Sequence, residues 1–139
     1  MKFNTKIRYG IRTILEIALD DSGNGVFQKD IGARQKISVK YLDHIIPALK
    51  TAGLIVNKSG RKSGYVITRK PSEIRLLEIY QAFEPGMVIV DCISHSYVCE
   101  LSIKCGAKGF WAGLNNVIIN YFESYTVEDL IKEHRSKNS

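Results

Sequence analysis

Residues 28–70 read QKDIGARQKISVKYLDHIIPALKTAGLIVNKSGRKSGYVITRK, and the changes of pattern within them decide the fold. Gln28 to about Gln35 reads as a short helix. Lys36-Ile37 is a tight link to Ser38, which has the chemistry of a helix N-cap. Val39, Leu42, Ile45, Ile46 and Leu49 then repeat at helical spacing as one apolar stripe. The stripe stops at Ala52-Gly53, where glycine suits the left-handed residue after a helix. Pro47 lies inside it and is expected to bend the helix, because proline removes one backbone donor. Leu54–Lys58 and Tyr65–Thr68 read as strands joined by the glycine-bounded turn 59–64.

Two helices on a short turn, followed by a basic hairpin, make the order of a winged helix-turn-helix. The charge agrees. The chain has 139 residues and a net charge of +6. Residues 28–70 hold ten Lys or Arg and two acids, Asp30 and Asp43, for a local +8; the remainder nets −2. Positive charge gathered in one segment is the footprint of an anionic partner. A recognition helix enters the major groove with its N-terminal residues at base edges. Here those residues are Ser38, Val39, Lys40 and Tyr41, with His44 a turn later. Whether Tyr41 packs inward stays open at this point. The wing offers Lys58, Arg61, Lys62 and Ser63, with Arg69 and Lys70 on its return; no acid occurs from Lys58 to Lys70. Duplex DNA is the expected partner. RNA is disfavoured, since aromatic stacking positions are not interleaved with the basic ones.

Outward from this segment, Ile7, Ile11, Ile14, Leu15, Ala18 and Leu19 mark a first amphipathic helix, with Asn4 or Thr5 as its cap. Pro71-Ser72 is expected to open a helix carrying Leu76, Ile79, Tyr80 and Phe83 on one face. After Gly109, Trp111, Leu114, Val117, Ile118, Tyr121, Phe122 and Tyr125 step by three and four residues. That stripe is too large for one small domain to cover. Trp111, Leu114, Ile118, Tyr121 and Phe122 are the expected seam with a second copy, in a two-fold dimer that sets its recognition helices on successive half-sites.

The expected architecture is mainly α with a small β-hairpin: a winged helix-turn-helix plus a long C-terminal dimerisation helix. Its parts are 1–84 (DNA-binding domain), 85–108 (cysteine-bearing loop) and 109–139 (dimerisation helix and tail). No apolar run reaches the roughly 18 residues of a membrane span, and no leader pattern stands at the N-terminus, so the expected location is the cytoplasm, with no membrane partner. No phosphate loop, paired His/carboxylate spacing or nucleophile elbow is present, and no enzyme or small-molecule substrate is expected.

Six residues separate Cys92 from Cys99, and five separate Cys99 from Cys105. Three thiols on one loop can converge on an iron–sulfur cluster or zinc. The spacing is not the CxxC pair of zinc ribbons, and it leaves open a redox thiol pair or ordinary cysteines. Lys104 and Lys108 flank Cys105 and favour its thiolate. Three other functions remain in view: a thiol-sensing or metal-free regulator, a small redox iron–sulfur protein, and a zinc-stapled architectural DNA binder.

These residues resemble the IscR/NsrR/CymR (Rrf-type) group of winged-helix regulators along nearly the whole chain. Residues 6–12, KIRYGIR, resemble its opening helix, and residues 28–31, QKDI, the start of its second. Residues 37–42, ISVKYL, resemble its recognition helix, and residues 60–65, GRKSGY, its wing. The resemblance implies a homodimeric repressor or activator whose operator binding responds to an iron–sulfur cluster, of 2Fe–2S type. It also implies Cys92, Cys99 and Cys105 as ligands. Lys108 stands where the IscR type has a histidine ligand, Arg8 where some nitric-oxide sensors have an acid, and the first cysteine spacing is one residue longer. The fourth ligand is therefore unassigned, with His95, Glu100 and a small exogenous molecule as candidates.

Overall fold

A computed structural model describes residues 3–60, 62–93 and 104–139. Helix α1 is Thr5–Ala18, α2 Gln28–Gln35 and α3 Val39–Thr51. Strands β1 (Ile55–Asn57) and β2 (Tyr65–Ile67) form an antiparallel hairpin with Val56 opposite Val66. Helices α4 (Leu76–Gln81), α5 (Lys108–Ser124) and α6 (Val127–Lys137) follow. Among the described residues, no helix is long and apolar enough to cross a membrane.

Local chemistry sets these boundaries. Asn4 Oδ1 accepts the Ile7 N–H at 2.9 Å and starts α1. Lys36, left-handed at φ 56°, turns the chain sharply after α2. Gly32 permits that turn, since a Cβ there would stand 2.7 Å from the Ile37 carbonyl oxygen. Ser38 Oγ then accepts the Tyr41 N–H at 3.0 Å and starts α3. The helix runs unbroken through Pro47. Pro47 and Asp43, whose carbonyl loses its donor, are both exposed residues, so solvent can take the missing partner's place.

Ile14, Ile31, Leu42, Ile45, Leu49, Leu54, Ile55, Ile74 and Ile79 are wholly buried in one core beneath α3 and the hairpin. At its edge Gly25 and Gly64 touch backbone to backbone, and Val26 and Tyr65 exchange two backbone hydrogen bonds of 3.0 and 2.9 Å. That crossing fixes the base of the wing.

Two sequence expectations are corrected. Pro71 opens only a 3-10 turn, Pro71–Glu73, and the helix begins at Leu76 and ends before Phe83. The intervening residues are drawn into a tertiary pairing: Leu76 N–H donates to the Tyr125 carbonyl (2.8 Å) and Val127 N–H to the Ile74 carbonyl (2.9 Å). Phe83 instead packs its ring over Gly10 of α1, where a Cβ would lie 2.4 Å from Cε2. The segment expected as a tail is helix α6. Thr126 caps it, accepting the Asp129 N–H while Asp129 accepts the Thr126 N–H at 2.9 Å. Val127 and Ile131 of α6 are buried in the winged-domain core, so the chain returns to that domain after α5.

Candidate nucleic-acid interface

Helix α3 buries Leu42, Ile45, Ile46 and Leu49 and turns Ser38, Val39, Lys40, Asp43, His44 and Pro47 outward. Of the residues expected at DNA, Ser38, Val39, Lys40 and His44 are exposed. Tyr41 is half-buried: its ring meets Tyr9 of α1 edge-on at 5.3 Å and His44 at 6.3 Å. Its position answers the question its spacing left open, since it buttresses the helix from one side while remaining partly accessible.

The first turn of α3 is held from α2. Gln28 Nε2 donates to the Val39 carbonyl at 2.9 Å and to Asp43 Oδ1 at 2.7 Å. A second tie lies behind it. Arg12 of α1 donates from Nε to Gln35 Oε1 at 3.1 Å and from Nη2 to the Gln35 carbonyl. Gln35 Nε2 donates to the buried Glu16 carboxylate at 2.9 Å, which also faces Arg34 at 3.7 Å. The Arg12 guanidinium lies 5.1 Å from the Tyr9 ring centroid. Sequence reasoning missed Tyr9, Arg12, Glu16, Gln28 and Gln35 as supports of the reading head. Their partnerships join separate helices and leave no local periodic mark.

The wing is a closed ring of hydrogen bonds. Lys58 N–H donates to the Gly64 carbonyl (2.8 Å), and Ser59 N–H donates to Ser63 Oγ (2.8 Å). Ser63 Oγ donates in turn to the Gly60 carbonyl (2.7 Å). Lys50 Nζ reaches Asn57 Oδ1 at 2.9 Å and joins the end of α3 to the wing. Lys58 and Lys62 project into solvent, whereas the Ser63 hydroxyl is engaged inside the turn. On the return, Arg69 is paired with Glu78 at 2.6 Å. Arg61 lies outside the described residues.

Cys92 sits in a 3-10 turn, Asp91–Ile93, and Cys105 stands three residues before α5; both are half-buried free thiols. Cys99, His95 and Glu100 lie outside the described residues. Among the described residues no three His, Cys, Asp or Glu side chains come together as a metal site. Lys108 is the first residue of α5, and Arg8 lies exposed on α1. Just upstream of Cys92 the chain is clamped to α5. Asn115, 7% exposed, accepts the Ile89 N–H and donates to the Met87 carbonyl, each at 2.9 Å.

The expected seam residues divide between two faces of α5. Ile118 and Phe122 turn inward and pack on Ile7, Tyr80 and Met87. Phe110, Trp111, Leu114, Val117 and Tyr121 are exposed, Phe110, Val117 and Tyr121 by more than 60%.

A capped recognition helix, a hydrogen-bonded basic wing and a segregated positive charge define a winged helix-turn-helix DNA-binding protein. A family model described as Rrf2, "Iron-dependent Transcriptional regulator", matches residues 3–133, and the chain belongs to the Rrf2 family. It is 32% identical over 133 residues to "Protein rrf2" of Nitratidesulfovibrio vulgaris, covering 96% of this chain and 89% of the relative. It is 28% identical to the HTH-type transcriptional regulator IscR of Photorhabdus laumondii, covering 94% and 79%. Among solved structures it is similar to CymR, "the Global Cysteine Regulator of B. subtilis": TM-score 0.79, 25% identity, coverage 96% and 98%. The IscR of T. potens gives TM-score 0.78 and 25% identity, with coverage of 100% and 92%. The protein is thus a DNA-binding transcription regulator.

Proposed function

We propose that this regulator works as a cytoplasmic homodimer whose operator binding responds to an iron–sulfur cluster held by Cys92, Cys99 and Cys105. The donor chemistry fits: three soft thiolates within fourteen residues suit iron, and the two described thiols are half-buried and unpaired. When bound, such a cluster supplies iron that exchanges electrons and reacts with oxygen or nitric oxide. The chain's own residues do the rest.

The observation that carries the reading is Asn115. Its buried amide joins the strand of chain leading into Cys92 to the helix that presents the dimer face. A change in the path of residues 92–105 is passed through that amide to α5. The tilt of two α5 helices against each other sets the separation of two recognition helices, and hence their fit to successive half-sites. At the DNA, Ser38, Lys40, Tyr41 and His44 meet the major groove. Lys58, Arg61 and Lys62 meet the phosphates or the minor groove beside it, with Ser63 closing the turn that aims them.

Anaerobic purification with iron and sulfide assays and a visible spectrum tests the cluster. The expected result is a coloured protein with near-stoichiometric iron and sulfide, whose operator affinity changes on exposure to air or nitric oxide. Colourless protein that resists reconstitution would move the three cysteines to thiol sensing or zinc and leave DNA binding in place.

A further inference from the structure

The outward face of α3 is polar except for Val39 and Pro47. Val39 is the first residue of the helix, next to the exposed Lys40, and is 47% exposed. Such a side chain gains nothing from water or from a phosphate. It is also held still. Its carbonyl is gripped by Gln28 Nε2. One of its methyls, Cγ2, lies over Gly32, 3.5 Å from where a Cβ would stand. A β-branched side chain at a helix start has little rotameric freedom. The chain therefore presents a small, fixed apolar knob at the point where the recognition helix enters the groove.

The C5-methyl of thymine is the one methyl group that a base-pair edge offers in the major groove, where the features read by polar side chains are donors and acceptors. We infer that Val39 is a specificity-determining residue that packs on a thymine methyl, so that each operator half-site carries a fixed thymine at the entry of α3. This rests on the DNA-binding reading and adds to it the identity of one base. The neighbouring Lys40 supplies charge and donors at the same step but cannot tell thymine from uracil, because both present the same O4 acceptor.

The test uses the full chain, purified without air. Binding sites are selected from a randomised duplex pool, and each thymine of the enriched site is replaced singly by deoxyuridine, which removes only the methyl. One position per half-site is expected to lose affinity about fourfold, the equivalent of burying one apolar carbon. In Val39→Ala that penalty should vanish, while penalties at other thymines and the salt dependence stay unchanged. Alanine is compatible with the first position of a helix, and the deoxyuridine scan of the wild-type chain stands without the variant. Enriched sites lacking a fixed thymine, or a penalty equally large in Val39→Ala, would overturn the inference while leaving DNA binding intact. Failure to enrich any site would overturn the regulator reading and this inference together.

Discussion

Helices α3 and α5 are both amphipathic, and they use their two faces in opposite ways. In α3 Leu42, Ile45, Ile46 and Leu49 are buried in their own domain, and the exposed face, Val39 and Pro47 apart, is mostly polar. In α5 the one buried residue is the amide Asn115, while Phe110, Leu114, Val117 and Tyr121 face solvent at spacings of four, three and four residues. Beside that row lies an apolar groove of about 160 Å³ lined by Ile11, Leu76, Tyr121, Phe122, Tyr125 and Leu130. A helix with its apolar stripe inside has its structural needs met by the chain, and its outer face is free to bind. A helix with its stripe outside is waiting for a partner. Stability is therefore expected to live under α3, and assembly on α5.

Substitutions in the buried stripe of α3 and on the exposed row of α5 should have opposite effects. Leu42→Ala, at a wholly buried site, should cost about 3 kcal/mol of folding free energy in urea titration. Val117→Asp on α5 should leave the urea midpoint of the chain nearly unchanged at low concentration but convert dimer to monomer in sedimentation, with operator affinity falling at least about tenfold. A Val117→Asp chain that stays dimeric would place the seam elsewhere. Between these, Asn115→Ala leaves the Ile89 N–H and the Met87 carbonyl without their partner. It should cost about 1–3 kcal/mol, and above all weaken the response of operator binding to air while the operator affinity of the untreated protein persists.

Smaller effects sharpen the picture of α3 as a reading head. Ser38→Ala removes the cap of α3 and should lower stability by about 1 kcal/mol. Lys62→Ala should leave stability alone and reduce the slope of log affinity against log salt by about one unit, as expected for one lost phosphate contact. The smallest is pH dependence. Asp20 is held below the ordinary aspartate range, first by the Ser22 hydroxyl and then by backbone donors, including those of Ser22 and Gly25. Asp129 is lowered by the Thr126 backbone and side chain. A lowered folded-state value means that their contribution is present above the unfolded aspartate value, about 3.9, and is lost as pH falls through the lower folded value. Asp20→Asn should flatten the stability profile below about pH 4 and leave it unchanged at neutrality.

The sequence announced the elements that local chemistry decides. Helix α2 runs over the span its sequence suggests, and Ser38 caps α3 as its chemistry predicts. The hairpin lies where its turn residues put it, with β1 one residue shorter at each end and β2 one residue shorter at its C-terminal end. Residue patterns failed where distant segments decide. Ile74 is extended because it pairs with the start of α6, and nothing near Pro71 announces a partner fifty residues away. Helix α6 starts at the capping box of Thr126 and Asp129, within the span expected to hold the dimerisation helix and a tail. The same holds at the site. Lys40 and His44 were legible from their place on a helix. The ties through Gln28, Arg12 and Gln35 depend on how helices meet. The stripe of α5 was legible as a whole, but not its division, with Ile118 and Phe122 inward and Leu114, Val117 and Tyr121 outward.

Two chains, joined through α5, are expected to read one operator with two copies of α3. Light scattering of the purified protein with an enriched duplex measures the mass of the complex directly. The expected result is two chains on each duplex, and two chains in the free protein. One chain per duplex at saturation, with full affinity and sequence preference, would contradict it.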